Sequence, residues 1–123
     1  MLKHTRYIAL VLLAFCSIAS NAQDFPEGTI TPTAADLAEK LTNKAFSVKL
    51  KDGTTWRLEY KANGYIFVDT SGGYRGNGTW KVEDGKICSH MRDRDPNCTD
   101  VRLQNGSLLL KRPTGEIIQY SPQ

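Results

Sequence analysis

Histidine and cysteine are scarce in this chain: its 123 residues contain 2 of the first and 3 of the second. No spacing among them matches a zinc-binding pattern, which needs four imidazole or thiolate ligands in close-set pairs. Charge of one sign is scarce as well. Sixteen basic residues against 13 acidic ones give a net charge of +3, too weak a field to track a nucleic-acid backbone. The longest apolar run, Ile8 to Ile18, is about eleven residues, shorter than the roughly 20 that a membrane-crossing helix requires. Gly72-Gly73-Tyr74-Arg75-Gly76-Asn77-Gly78 is glycine-rich, yet it lacks the Lys-Ser/Thr ending and the following helix of a phosphate loop.

The first 22 residues have the order of an export signal. Lys3, His4 and Arg6 precede the apolar run, which only Ser17 interrupts, and Ser20 and Ala22 are the small residues a signal peptidase inspects. Two other readings are weaker. A stable membrane anchor would need a stop-transfer flank, and acylation of Cys16 would have to tolerate the bulky Phe15 before it. Cleavage after Ala22 leaves Gln23 first, ready to cyclise. Without Lys3 and Arg6 the basic residues fall to 14 against 13 acids, a net charge near +1. One domain with a modest core fits the remaining length.

Residues 23–32 read as a polar leader, extended or mobile, and residues 33–123 as a single β domain with an N-terminal helix. Thr33 and Asp36 have the spacing of a capping box, and Ala34, Leu37, Ala38 and Leu41 recur at helical spacing up to about Lys44. Strand patterning follows. Phe46, Val48 and Leu50 alternate with polar residues, as do Trp56, Leu58 and Tyr60, so each strand has one buried and one wet face. A three-residue loop on Asp52-Gly53 is expected to set Leu50 against Trp56 and Val48 against Leu58. The alternation fails at Tyr65-Ile66-Phe67-Val68: either this strand is covered on both faces or two of these side chains are exposed. The glycines at 76 and 78 suggest a bulge or a sharp bend before Thr79 to Val82.

One register accounts for the next hairpin. With Asp93 at the centre of its loop, Cys88 faces Cys98, Lys86 faces Asp100, and Asp84 faces Arg102. The two cysteines are an even pair once Cys16 is removed, and directly opposed cysteines suit a disulfide. Asn105-Gly106 is a type I′ signal between Val101/Leu103 and Leu108/Leu110. Pro113-Thr114-Gly115 then brings Ile118 opposite Leu110 and Tyr120 opposite Leu108. The whole reads as a mainly β chain: an eight-strand antiparallel meander, closed as a small barrel or strongly coiled, preceded by one short amphipathic helix and stapled by one disulfide.

Candidate chemistry is thin. His90 has no serine, thiol or carboxylate positioned to partner it, so no nucleophile–base pair is readable. Asp93, Asp95 and Asn97 alternate like the start of a calcium loop, but its sixth-position glycine, where Cys98 stands, and its closing glutamate are absent. Neither a cofactor nor a metal site is expected. Asn77, Asn97 and Asn105 sit in glycosylation acceptor patterns that would stay silent in a bacterial setting. The candidate binding surface is Tyr65, Phe67, Tyr74 and Arg75, with Arg92 and Arg94 on the stapled loop; tyrosine and arginine are favoured interface anchors.

Gly76-Asn77-Gly78-Thr79-Trp80-Lys81-Val82, then Gly85-Lys86-Ile87-Cys88, then Cys98 and Val101, resemble a group of small uncharacterised exported proteobacterial β-proteins with a Gly-Thr-Trp…Cys…Cys pattern. The resemblance spans roughly Trp56 to Leu110. It implies a β fold and a periplasmic or secreted location, and brings no assigned activity. The expected function is therefore that of an exported binding protein for a small apolar ligand or a protein partner, without covalent chemistry. The alternatives are an inhibitor of a secreted or periplasmic hydrolase, such as a lysozyme or protease, acting through Arg92 to Asn97, and, least favoured, a hydrolytic enzyme. A cavity of several hundred Å³ would favour the ligand; a filled barrel with a projecting loop would favour inhibition.

Overall fold

The computed structural model describes residues 23–123. The expected export signal at 1–22 lies outside them. The described residues form one helix, α1 (Ala34–Leu41), followed by eight strands: β1 (Lys44–Lys49), β2 (Thr55–Tyr60), β3 (Tyr65–Thr70), β4 (Arg75–Glu83), β5 (Lys86–Met91), β6 (Asn97–Gln104), β7 (Ser107–Lys111) and β8 (Ile117–Pro122). Each strand pairs antiparallel with the next, and β8 returns to β1 through Phe46↔Pro122 and Ser47↔Ser121, closing the barrel. Closure leaves no free sheet edge.

The helix begins where the sequence marks it. The Thr33 side chain accepts from the Asp36 backbone N–H, and Asp36 reaches back to the Thr33 N–H, completing the capping box. It ends at Leu41, one turn short of the expected Lys44, because Asn43 turns to a left-handed φ of 58° and Lys44 already belongs to β1. Leu37 and Leu41 are fully buried, and the helix packs against β1 and β4, stopping one end of the barrel. Asp84 fastens it there by accepting from the Ala34 N–H at 2.8 Å.

Period-two patterning fills the interior. Phe46, Val48, Leu58, Tyr60, Ile66 and Ile87 are buried, joined by Val101, Leu108, Leu110, Ile118 and Tyr120 from the later strands. At β3 the ambiguous run resolves into Ile66 and Val68 inside, with Tyr65 and Phe67 outside and 51% and 43% exposed. The Asn105-Gly106 turn has both residues at positive φ, 50° and 80°, and sets Leu103 against Leu108 and Val101 against Leu110 as the turn type demands. The last hairpin pairs Leu110 with Ile118 and Leu108 with Tyr120, also as expected.

Three expectations are corrected. The β1–β2 loop is three residues long, but Leu50 faces Thr54, so Val48 faces Trp56 and Phe46 faces Leu58. The slip is by two positions, which preserves the inward face. The glycines of β4 mark no bulge: its register to β3 and to β5 runs unbroken. Asp84 does not pair with Arg102, because the β5–β6 ladder ends at Lys86↔Asp100; Asp84 is spent on the helix and Arg102 lies over the Phe25 ring at 5.1 Å.

The leader, residues 23–32, is an extended strap. The Gln23 N–H donates to the Gly115 carbonyl at 3.0 Å and its Oε1 accepts from the Ile117 N–H at 3.0 Å. Ile30 then bridges Leu103, and the Pro32 carbonyl accepts from Gly85. Leu109 faces outward on β7 yet is buried, with Gln23, Asp24 and Pro26 beside it.

Candidate functional site

With α1 at one end of the barrel, the loops at 50–54, 71–74, 92–96 and 112–116 surround the other. Inside that open end is a cavity of about 470 Å³. Its walls are the inward residues of the strands, among them Trp56, Leu58, Ile66, Val68, Ile87 and Ile118. Polar side chains are few: Thr70, Ser89, Asn97 and Thr99 on the walls, and Tyr60 and Tyr120 toward the stoppered end.

The rim is organised as two arginine–aromatic pairs. Arg112 lies over the Trp56 ring at 4.9 Å while its Nη1 donates to Glu116 at 2.7 Å. Glu116 also accepts from the Lys51 N–H at 3.0 Å, which ties the β7–β8 loop to the β1–β2 loop. Across the opening, Arg94 lies over the Tyr74 ring at 4.5 Å, and the Tyr74 hydroxyl donates to Asp93 at 2.9 Å, tying the β3–β4 loop to the stapled β5–β6 loop. Desolvation, and then the Asp93 carboxylate holding its proton, push the Tyr74 phenol above its ordinary range. Gly76 makes this possible: a Cβ there would collide with the Tyr74 hydroxyl.

Deeper, the Tyr60 and Tyr120 hydroxyls are 2.7 Å apart. They come from β2 and β8, the two neighbours of β1, so they meet inside the barrel across its inner face, where Phe46 is in edge contact with Tyr60 and tilted on Tyr120. Burial pushes the Tyr120 phenol up to about 12, and burial followed by the neighbouring phenol pushes Tyr60 well above the usual value. Both are neutral donors at ordinary pH.

The candidate surface residues fall into two places. Tyr74 and Arg94 belong to the cavity rim. Tyr65 and Phe67 stand on the outer face of β3–β5, lining a shallow groove with Asn77, Thr79, His90 and Arg92. Arg75, adjacent to Tyr74 on an extended strand, points outward and pairs with Asp69 at 2.7 Å. No protein-family model, curated protein or solved structure matches the chain.

Cys88 and Cys98 are joined, with Cα atoms 4.0 Å apart, on the outer side of the same hairpin. Lys86 and Asp100 form the expected pair beside them at 3.9 Å. The bridge itself points to an oxidising, exported environment. Glu83 lies near both sulfurs, but oxidised sulfur is a poor ligand, and one carboxylate alone does not hold a metal. The sequence pattern located the strands and the rim loops; it missed the Tyr60–Tyr120 pair and the Arg112–Trp56 stack, which join residues remote in sequence.

Proposed function

We propose that this chain is an exported binding protein that takes a small, largely apolar ligand into the open end of its barrel and does no covalent chemistry on it. The cavity carries the reading. At about 470 Å³ it lies within the range of small-molecule sites, and its apolar walls with a few convergent polar groups are the usual composition of one. The two arginine–aromatic pairs border the opening without filling it. His90 stands on the outer face, on the other side of the sheet from the cavity, which supports a binding rather than an acid–base role. Export is part of the proposal and rests on the order of residues 1–22 together with the disulfide.

A second reading is favoured by one observation. Tyr65 and Phe67 are the largest exposed rings on the sheet and share a groove with His90 and Arg92, an arrangement that suits a protein partner. Amide chemical-shift mapping separates the two. During titration with 2-ethylnaphthalene, saturable shifts at Val68, Ile87 and Ile118 are expected. Shifts confined to Tyr65, Phe67 and His90 would move the site to the outer face, and no saturable shift anywhere would reject the cavity.

A further inference from the structure

We propose that Tyr60 and Tyr120 form a hydrogen-bond donor site at the floor of the cavity, selecting a ligand that is apolar along its body and enters with a neutral acceptor, such as a carbonyl oxygen, foremost. This rests on the binding reading above and adds the ligand's chemical class and orientation.

The argument is a count of protons. Two phenols bring two O–H donors, and one of these is used when one hydroxyl donates to the other across 2.7 Å. The accepting hydroxyl keeps a proton that finds no acceptor among the described residues. The two residues are 1% and 4% exposed, so bulk water does not serve it freely. A buried donor without a partner is costly, and an acceptor on a ligand removes that cost. Both residues line the cavity, and in the proposed site an acceptor entering from the open end reaches the pair.

The surroundings narrow the class. Leu58, Ile66, Ile87, Leu110 and Ile118 bound the space above the hydroxyls, which calls for an apolar body. Among the described residues the cations that line the cavity are Arg94 and Arg112, which stand at the rim on Tyr74 and Trp56. A carboxylate or phosphate driven to the floor would be buried without a counter-charge, whereas a neutral carbonyl would not. Since the phenols stay protonated at ordinary pH, the floor offers a donor and not a negative charge.

Two probes with the same aromatic body test this: 2-acetylnaphthalene carries a carbonyl where 2-ethylnaphthalene carries a methylene. The variant is Tyr60→Phe/Tyr120→Phe, because removing both partners together leaves no orphaned hydroxyl and is the gentlest change to the core. Relative to the unaltered protein, the double variant should lose about three- to tenfold in affinity for the ketone and stay within about twofold for the hydrocarbon. A second measurement needs no variant. The carbonyl stretch of ¹³C-labelled ketone bound to the unaltered protein should shift to lower wavenumber than in hexane. Equal ketone affinity in the two proteins, or a hexane-like stretch for the bound ketone, overturns the donor site even when the hydrocarbon binds. Failure of both probes to bind overturns the cavity reading and the donor site with it.

Discussion

Two glycines on β4 show how differently one residue type is used at neighbouring inward positions. A Cβ at Gly78 would run into the backbone carbonyl of His90 and the Cα of Met91 on β5, neither of which can move without breaking the ladder. At Gly76 the obstacle is the end of the Tyr74 ring, a side chain free to swing. Gly78→Ala should therefore destabilise the protein by at least about 2 kcal/mol in urea unfolding, while Gly76→Ala costs about 1 kcal/mol or less. Gly76→Ala should instead free the Tyr74 ring from Arg94 and Asp93, seen as a lowered phenol pKa in ultraviolet titration. The buried phenols give a further expectation with a definite sign. Unfolded tyrosine ionises near pH 10, whereas burial holds Tyr120 up to about 12 and Tyr60 higher than usual, so the native state keeps protons that the unfolded state releases. Stability from this source is fully present below pH 10 and is lost as pH rises through about 12, with a slope of up to about 1.4 kcal/mol per pH unit for each phenol. Urea midpoints measured from pH 8 to 12 should show this decline, and it should be much shallower in Tyr60→Phe/Tyr120→Phe.

The elements divide into those that local rules specify and those that depend on distant partners. The β5–β6 hairpin is of the first kind: Cys88 and Lys86 sit at fixed offsets from Cys98 and Asp100, so one register places both pairs in the sequence as in the structure, and only Asp84–Arg102, beyond the end of the ladder, does not form. Reducing the bridge, or replacing it as Cys88→Ser/Cys98→Ser, should cost about 2–3 kcal/mol, the loop-closure value for so short a separation, and a thermal melt with and without reductant measures it. Helix α1 is of the second kind. Its start was legible from Thr33 and Asp36, and its single apolar face marked it as a lid on the sheet. That the lid closes one end of a barrel, against β1 and β4, was not legible, because spacing shows which face is apolar and not what that face meets. Leu37→Ala removes a fully buried side chain at the closed end and should cost about 2–5 kcal/mol. The same limit explains the candidate site. Alternation told inside from outside on strands such as β1 and β2 but failed at Tyr65–Val68, where all four side chains are apolar and only the closed barrel sorts Ile66 and Val68 from Tyr65 and Phe67. It is silent on loops: Tyr74 turns over Gly76 toward Asp93 and Arg94, whereas Arg75 follows the strand outward to Asp69. Tyr60 and Tyr120 are sixty positions apart on strands that do not pair, and only barrel closure brings them together.

At the scale of the molecule, the same closure that removes free edges also creates an interior, and eight strands enclose slightly more space than their side chains occupy. The helix end is packed with Leu37, Leu41 and the rings of Phe46, Tyr60 and Trp80; toward the open end small polar residues, Thr70, Ser89, Asn97 and Thr99, take some of the inward positions. Ser89 is one of them. It lines the cavity between Ile87 and Met91 on β5, facing Trp80 and Asn97 across the ladders, and its hydroxyl makes no hydrogen bond among the described residues. If the void were merely loose packing, filling it would bring stability and alter nothing else. If it is a binding site, stability and binding should move in opposite directions, since natural sites keep space at the expense of packing. Ser89→Phe places a ring in the cavity from a wall position that belongs neither to the arginine–aromatic pairs of the rim nor to the Tyr60–Tyr120 pair. It should raise the urea midpoint by the equivalent of about 1 kcal/mol, from newly buried apolar area, and weaken 2-ethylnaphthalene binding by at least about tenfold. Unchanged affinity in a folded Ser89→Phe protein would place the bound hydrocarbon outside the barrel, on the Tyr65–Phe67 face.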